Sequence, residues 1–227
     1  MNLKGTEGAL SLENPAQMNR VLRHKLRNHS AGMKMTIAKI QSILEDVAPN
    51  MSDRCSLMIE ELSGLEVFST RMDYIFNDLP APEAVDFFTL LHESRSFFVQ
   101  KFSFCDLKMS GPQSVFNLKY GNWLIIAVKE LLANSGECVG ENNLVEFSWS
   151  VDEALTLEFS NSGDPIPNDI PLDPPQAFFT HKGRHDGLGL AIVYRICSVL
   201  GGTINFKNEN DRIKVQIQVP LKEITNA

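Results

Sequence analysis

The sequence predicts an α+β chain of two domains: an antiparallel helical hairpin that forms a four-helix bundle in a dimer, followed by an α/β sandwich. Three observations predict it. Apolar residues recur at spacings of three, four and seven from Met18 to Val47 and again from Met58 to Leu79, the period of amphipathic helices. Beyond Pro80-Ala81-Pro82, short alternating runs interleave with helical ones, the pattern of helices packed on one face of a mixed sheet. Each hairpin helix offers one apolar seam, which two helices alone bury poorly, so a second copy has to complete the core about a two-fold axis.

Residues 1 to 13 read as a flexible tail. The first helix should run from Pro15 to Val47, with Asn14 as cap and Pro15 at its first position. Its seam is Met18, Leu22, Leu26, Met33, Ile37, Ile40, Leu44 and Val47, a stripe of about eight turns. Ala48-Pro49-Asn50 breaks it, and Ser52 or Asp53 caps a second helix with the seam Met58, Leu62, Leu65, Met72, Ile75 and Leu79. The Pro-rich step at 80–82 reads as a hinge, which divides the chain into domains 1–80 and 81–227. A helix near 84–100, a strand near 103–109 and a helix from Trp123 to Glu137 should follow. Next come strands near 144–150 and 154–160, a helix opened by Gly187, and strands near 203–207 and 212–219.

Composition narrows the function. A hydrophobic content of 43% supports a real core, and a net charge of −7 argues against nucleic acid or an anionic membrane as partner. No apolar run reaches the roughly 20 residues of a membrane span, and the first residues lack the apolar stretch of a signal peptide. Cys55, Cys105, Cys138 and Cys197 are scattered, which suits reduced thiols and a cytoplasmic location. Five dispersed histidines offer no zinc spacing.

The residues that can carry chemistry fall in four places. In Phe178 to Ile196, glycines Gly187 and Gly189 precede an apolar helix, where close backbone approach and free N–H groups suit a phosphate. Thr180, His181, Lys182, Arg184 and His185 lie just upstream as counter-charge. On the Trp123–Glu137 helix, Glu130 and Asn134 are four apart and share a face. A carboxylate and a carboxamide so placed can poise a water or hydroxyl and complete the shell of Mg2+. The strand at Leu155–Phe159 enters a turn, Asn161-Ser162-Gly163-Asp164-Pro165, where the Asn161 carboxamide can meet a nucleobase edge. Near the N-terminus, His24 lies two residues from both Leu22 and Leu26, about 160° off the seam, and so faces solvent. Asn28, one turn on, shares that face, whereas His29 borders the packed one.

In this order the segments resemble the ATP-binding domain shared by histidine kinases and gyrase-type ATPases, over residues 83 to 220. Glu130 to Asn134 is similar to the N box, Asn161-Ser162-Gly163 to the first glycine box, Phe178-Phe179-Thr180-x-Lys182 to the F box, and Gly187-Leu188-Gly189-Leu190 to the second glycine box. His24, Leu26, Arg27 and Asn28 match the H box of histidine kinases. The resemblance implies a dimerisation and histidine phosphotransfer domain over 1–80 and a catalytic ATP-binding domain over 81–227. It implies a protein-histidine kinase in a two-component system, with ATP and Mg2+ as cofactors and a homodimer as the working form. His24 is then the phosphoacceptor, Asn28 and Glu130 assist, and Asn134 ligates Mg2+. Asn161, Gly163, Thr180, Lys182, Gly187, Leu188 and Gly189 hold the nucleotide, and the partner is a response-regulator receiver.

Three positions depart from the family pattern. Lys25 stands where Glu or Asp usually follows the acceptor, Asn161 replaces the usual Asp, and His185-Asp186 replace Gly-x before Gly187. Lys25 keeps a second reading in view, an ATP-independent phosphotransferase with a degenerate ATP domain. A third is a regulatory binding module on the same ATPase fold.

Overall fold

A computed structural model describes residues 15–77, 79–114, 116–139, 144–163, 175–178, 186–209 and 212–225, with the backbone alone over 15–19. The chain separates into two compact units, Met1–Asp78 and Leu79–Ala227. The first unit is a helical hairpin, α1 (Pro15–Leu44) and α2 (Pro49–Phe76). The connection between the helices falls earlier than the sequence suggests. Glu45 to Val47 form a turn, and Ala48 (φ −150°, ψ 73°), not Ser52 or Asp53, precedes the first helical residue of α2. The cause is Pro49, which lacks an N–H and pushes the residue before it out of helical geometry. The expected cap of α1, Asn14, lies outside the described residues.

Only part of the apolar stripe closes the hairpin within one chain: Ile37 is buried and Leu26, Leu44, Leu62, Met72 and Ile75 are half-buried. Arg23, Ser30 and Ile37 of α1 are buried, at intervals of seven, as are Ser52, Cys55 and Ser69 of α2. Ion pairs cross between the helices along this line: Arg23 and Arg27 to Asp73 at 2.7 and 2.6 Å, and Lys34 to Glu66 at 2.9 Å. Of the expected seam, Leu22 (56%), Met33, Ile40, Val47 (80%), Met58 and Leu65 are exposed instead. His29 is exposed as well, so it borders no buried face within the chain. Small and charged side chains let the two helices approach, and they leave the larger apolar side chains on the outside.

The second unit carries a five-stranded sheet of β2 (Asp106–Ser110), β4 (Leu144–Val151), β5 (Ala154–Asn161), β7 (Arg212–Pro220) and β6 (Thr203–Glu209), in the spatial order β2-β4-β5-β7-β6. Only the β2–β4 pair is parallel. Helices α3 (Phe87–Lys101), α4 (Gly121–Glu137) and α5 (Gly189–Val199) complete the core. Phe147, Leu155, Leu157, Phe159, Ile217 and Val219 alternate inward from the strands, and the Phe147 and Phe159 rings stack at 4.7 Å. Leu124, Val128, Leu131, Ile192 and Ile196 supply the buried helix residues.

Three short elements were not foreseen: β1 (Val85–Asp86), its partner β3 (Asn117–Leu118), and α6 (Leu221–Ile224). Two to four residues are too few to show a period. α3 starts three residues later than expected because the Asp86 side chain accepts from the Thr89 N–H and caps it. The step at 80–82 is fastened down. Trp123 Nε1 donates to the Pro80 carbonyl and Asn122 Nδ2 to that of Ala81, both at 2.8 Å.

Two expectations follow. A second copy that covers the open apolar stripe makes the full chain a dimer through residues 15–79, while a fragment of residues 83–227 stays monomeric. Light scattering on both checks this, and a monomeric full chain at micromolar concentration contradicts it. Burial pushes the Cys197 thiol up to about 12, so in the folded protein it stays protonated where a free thiol would ionise. Alkylation at pH 9 should spare Cys197 until the chain is unfolded, as read by peptide mass spectrometry.

Candidate functional site

In the second unit the candidate residues gather at the C-terminal end of α4. Glu130 and Asn134 project from it one turn apart, both half-buried, with Leu131 and Leu132 buried between them. The helix ends at Cys138, whose carbonyl accepts from Asn161 Nδ2 at 3.2 Å. Asn161 is the last residue of β5 and only 3% exposed. With its nitrogen committed to Cys138, its Oδ1 is left as an acceptor, the role a nucleobase amino group requires. Gly163 then passes so close to the same carbonyl that a Cβ would collide with it. Between them, Ser162 Oγ is buried without a hydrogen-bond partner. An orphaned hydroxyl in such a turn is a group left for a ligand.

α5 packs beside α4. It begins one turn position later than the sequence indicates: Gly189 is its first residue and Leu188 its cap. Gly187 is a loop residue with φ 66°, the left-handed region that favours glycine. Its carbonyl accepts from the Phe178 N–H at 3.0 Å, which ties the two ends of the intervening segment together. Asp186 Oδ1 accepts from the Leu188 N–H at 3.1 Å. The aspartate that departs from the family pattern therefore shapes the helix entry, a function that an acid two residues before the helix cap could have signalled. The backbone N–H groups of Gly189, Leu190 and Ala191 are first-turn donors of the kind that receive phosphate. Thr180 and Lys182, with His181, Arg184 and His185, lie outside the described residues.

In the first unit His24 is exposed on α1, as its angle predicts. Asn28 Nδ2 lies 3.2 Å from His24 Nε2. With the Asn28 amide nitrogen as donor, Nε2 is the acceptor in the Nδ1–H tautomer of the ring. Lys25 is exposed. Sequence reasoning did not find the ion pairs below His24, because Asp73 lies 46 to 50 residues from its arginine partners. Among the described residues no three His, Cys, Asp or Glu side chains converge as a metal site, and no helix is long and apolar enough to cross a membrane.

Comparison with known proteins agrees with this geometry. Residues 120–223 match the family described as histidine kinase-, DNA gyrase B- and HSP90-like ATPases. The chain is 24% identical to the sensory histidine kinase/phosphatase NtrB of Azospirillum brasilense, over 90% of its own length. It spans about half of that protein (55%). In fold it resembles full-length ShkA in complex with AMPPNP (TM-score 0.74, 16% identity, 93% of this chain and 46% of that one). It also resembles the histidine kinase AdeS of Acinetobacter baumannii (TM-score 0.58, 17% identity, 85% and 97%). A third likeness is the catalytic domain of the histidine kinase ThkA in a nucleotide-free form (TM-score 0.55, 22% identity, 61% and 94%).

The Cys138 junction generates an expectation that runs against simple reversion to the family residue. Asn161→Asp removes the donor to Cys138 and sets a carboxylate against a carbonyl. It should cost about 1–3 kcal/mol, read as a lower urea midpoint with an unchanged slope. Equal or greater stability of Asn161→Asp contradicts the bond.

Proposed function

We propose, for a chain built as a histidine kinase core with its ATPase-family domain at residues 120–223, that it transfers the γ-phosphoryl group of ATP to His24 and passes it on to an aspartate of a response-regulator receiver. The observation that carries this reading is the pairing of two features. One is a turn at Asn161–Gly163 with an open acceptor and an orphaned hydroxyl on the end of α4. The other is an exposed His24 with Asn28 Nδ2 at 3.2 Å from its Nε2.

The residues present fit the group. Asn161 Oδ1 meets the adenine amino group, and Gly163 lets the turn pass close against the Cys138 carbonyl. The first-turn N–H groups of α5, with Lys182 and Thr180, hold the phosphates around Gly187, Leu188 and Gly189. Asn134 would hold Mg2+, which neutralises phosphate charge when bound, and Glu130 orients a water beside it. His24 attacks through its Nε2 lone pair, with the proton retained on Nδ1. Positioning and electrostatics do most of the work in such a transfer. The reading is completed by a homodimer through α1 and α2, with the hairpin as the phosphotransfer domain.

A second reading has its own observation. Lys25 puts a cation where the family has an acid, and the Asp186 carboxylate already occupies one N–H at the mouth of α5. Both favour an ATP-independent phosphotransferase that cycles phosphate between receivers through His24.

Incubation with γ-labelled ATP and Mg2+ separates the two. Acid-labile, base-stable label on the wild type, lost in His24→Gln and kept in His29→Gln, is the outcome expected of the kinase. Absence of label at millimolar ATP, with His24 still labelled by a phosphorylated receiver, would establish the second reading instead.

A further inference from the structure

We infer that His24 stands in a phosphoryl-holding site made by Arg20 and Arg27 of α1, with Asp73 of α2 as its positioning residue; this rests on reading His24 as the phosphoacceptor. The chain is acidic overall at −7, yet the 30 residues of α1 contain no Asp or Glu. Four cations, Arg20, Arg23, Lys25 and Arg27, lie within four residues of His24. Arg20 precedes it by four residues and Arg27 follows it by three, the two spacings that put helix side chains on a common face. Arg20 and Lys25 are exposed, and the structure shows no acidic partner for either among the described residues.

Asp73 is the carboxylate that faces this group. Its Oδ1 takes Arg23 Nε at 2.7 Å and its Oδ2 takes Arg27 Nη1 at 2.6 Å. One carboxylate therefore serves two guanidinium groups and leaves an excess of positive charge beside the histidine. The Arg23 side chain is 97% buried (3% exposed) and both its Nη atoms lack an acceptor. Because these atoms are buried, Arg23 adds positive charge to this stretch of α1 but no donor to a group on the exposed histidine.

The incoming group matches. A phosphoryl on Nε2 brings up to two negative charges and three acceptor oxygens. Arg27, fixed by Asp73 through one nitrogen, keeps its remaining donors for these oxygens. Asn28 Nδ2 loses its acceptor when the Nε2–P bond forms and can turn to a phosphoryl oxygen. The arginines exchange no proton in this step. They hold charge that on the donor side is held by other groups.

Phosphoramidate is the probe, because it phosphorylates imidazole without a nucleotide. The Nε2 lone pair forms the new N–P bond, the P–N bond breaks with its electron pair, and the leaving nitrogen, already –NH3+ in phosphoramidate, departs as ammonia while the ring proton stays on Nδ1. In the full chain, Arg27→Met and Arg20→Met should each slow labelling of His24 on the order of tenfold, the size of one charge-assisted hydrogen bond. Arg27→Lys should recover part of the loss. Asp73→Asn should slow labelling as Arg27→Met does and add nothing to it in the double variant. The 31P signal of phospho-His24 adds a readout that helix stability does not move: its last protonation should occur at higher pH in Arg27→Met, since a cation favours the dianion. Unchanged labelling rates and an unchanged 31P titration in folded, helical Arg20→Met and Arg27→Met overturn the site, as does labelling of His29 in place of His24. Loss of ATP labelling with these effects intact would remove the kinase reading and leave this site standing.

Discussion

The second unit depends on one carbonyl. Cys138 ends α4, and its oxygen both takes the Asn161 amide and limits the passage of Gly163. That contact fixes the exit of β5 to the end of the helix that bears Glu130 and Asn134. It also decides the chemistry of the turn. The side chain at 161 donates to Cys138, which an aspartate at neutral pH cannot do, and the asparagine keeps its oxygen as an acceptor. The departure from the family pattern at this position is therefore a local solution, compensated by the helix end it rests on.

The hairpin is governed by a different balance. Its helices are joined by small residues and by ion pairs that span them, with Ile37 and Cys55 as the apolar exceptions among the buried residues. Of these pairs, Arg27–Asp73 and Lys34–Glu66 are partly exposed and add little stability, and Leu22, Met33, Ile40, Val47, Met58 and Leu65 face outward. Such a hairpin needs a covering partner more than its seam alone would indicate. The same arrangement ties Asp73 to Arg23 and Arg27, on either side of His24 in the sequence.

Much of this was legible in the sequence because long elements repeat a period. α4, α5, β4, β5 and β7 were found within a few residues of their ends, and Glu130, Asn134, Asn161 and Gly163 were placed on the right elements. The hairpin seam was read only in part, for a physical reason. Counting apolar residues finds the stripe with the largest side chains, whereas burial here falls on Arg23, Ser30, Ser52 and Ser69, whose partners are distant in sequence. The start of α5 was misplaced because Gly187 reads like a helix residue until its positive φ is seen. The Cys138 carbonyl could not be read at all, since a backbone acceptor has no signature in the side-chain pattern. The capping action of Asp186 was available in principle but was hidden by attention to the glycines around it.

The central claim is that the Asn161 turn, the end of α4 and the start of α5 form one nucleotide cradle. The most direct measurement is the change in backbone amide resonances of the full chain on addition of Mg2+ and a non-hydrolysable ATP analogue. The account predicts the largest shifts at Asn134, Asn161–Gly163 and Gly187–Ala191, and none at the polar sheet face around Ser148 and Glu158. Saturating analogue with no shift at those three places, or with shifts confined to the sheet face, would contradict it.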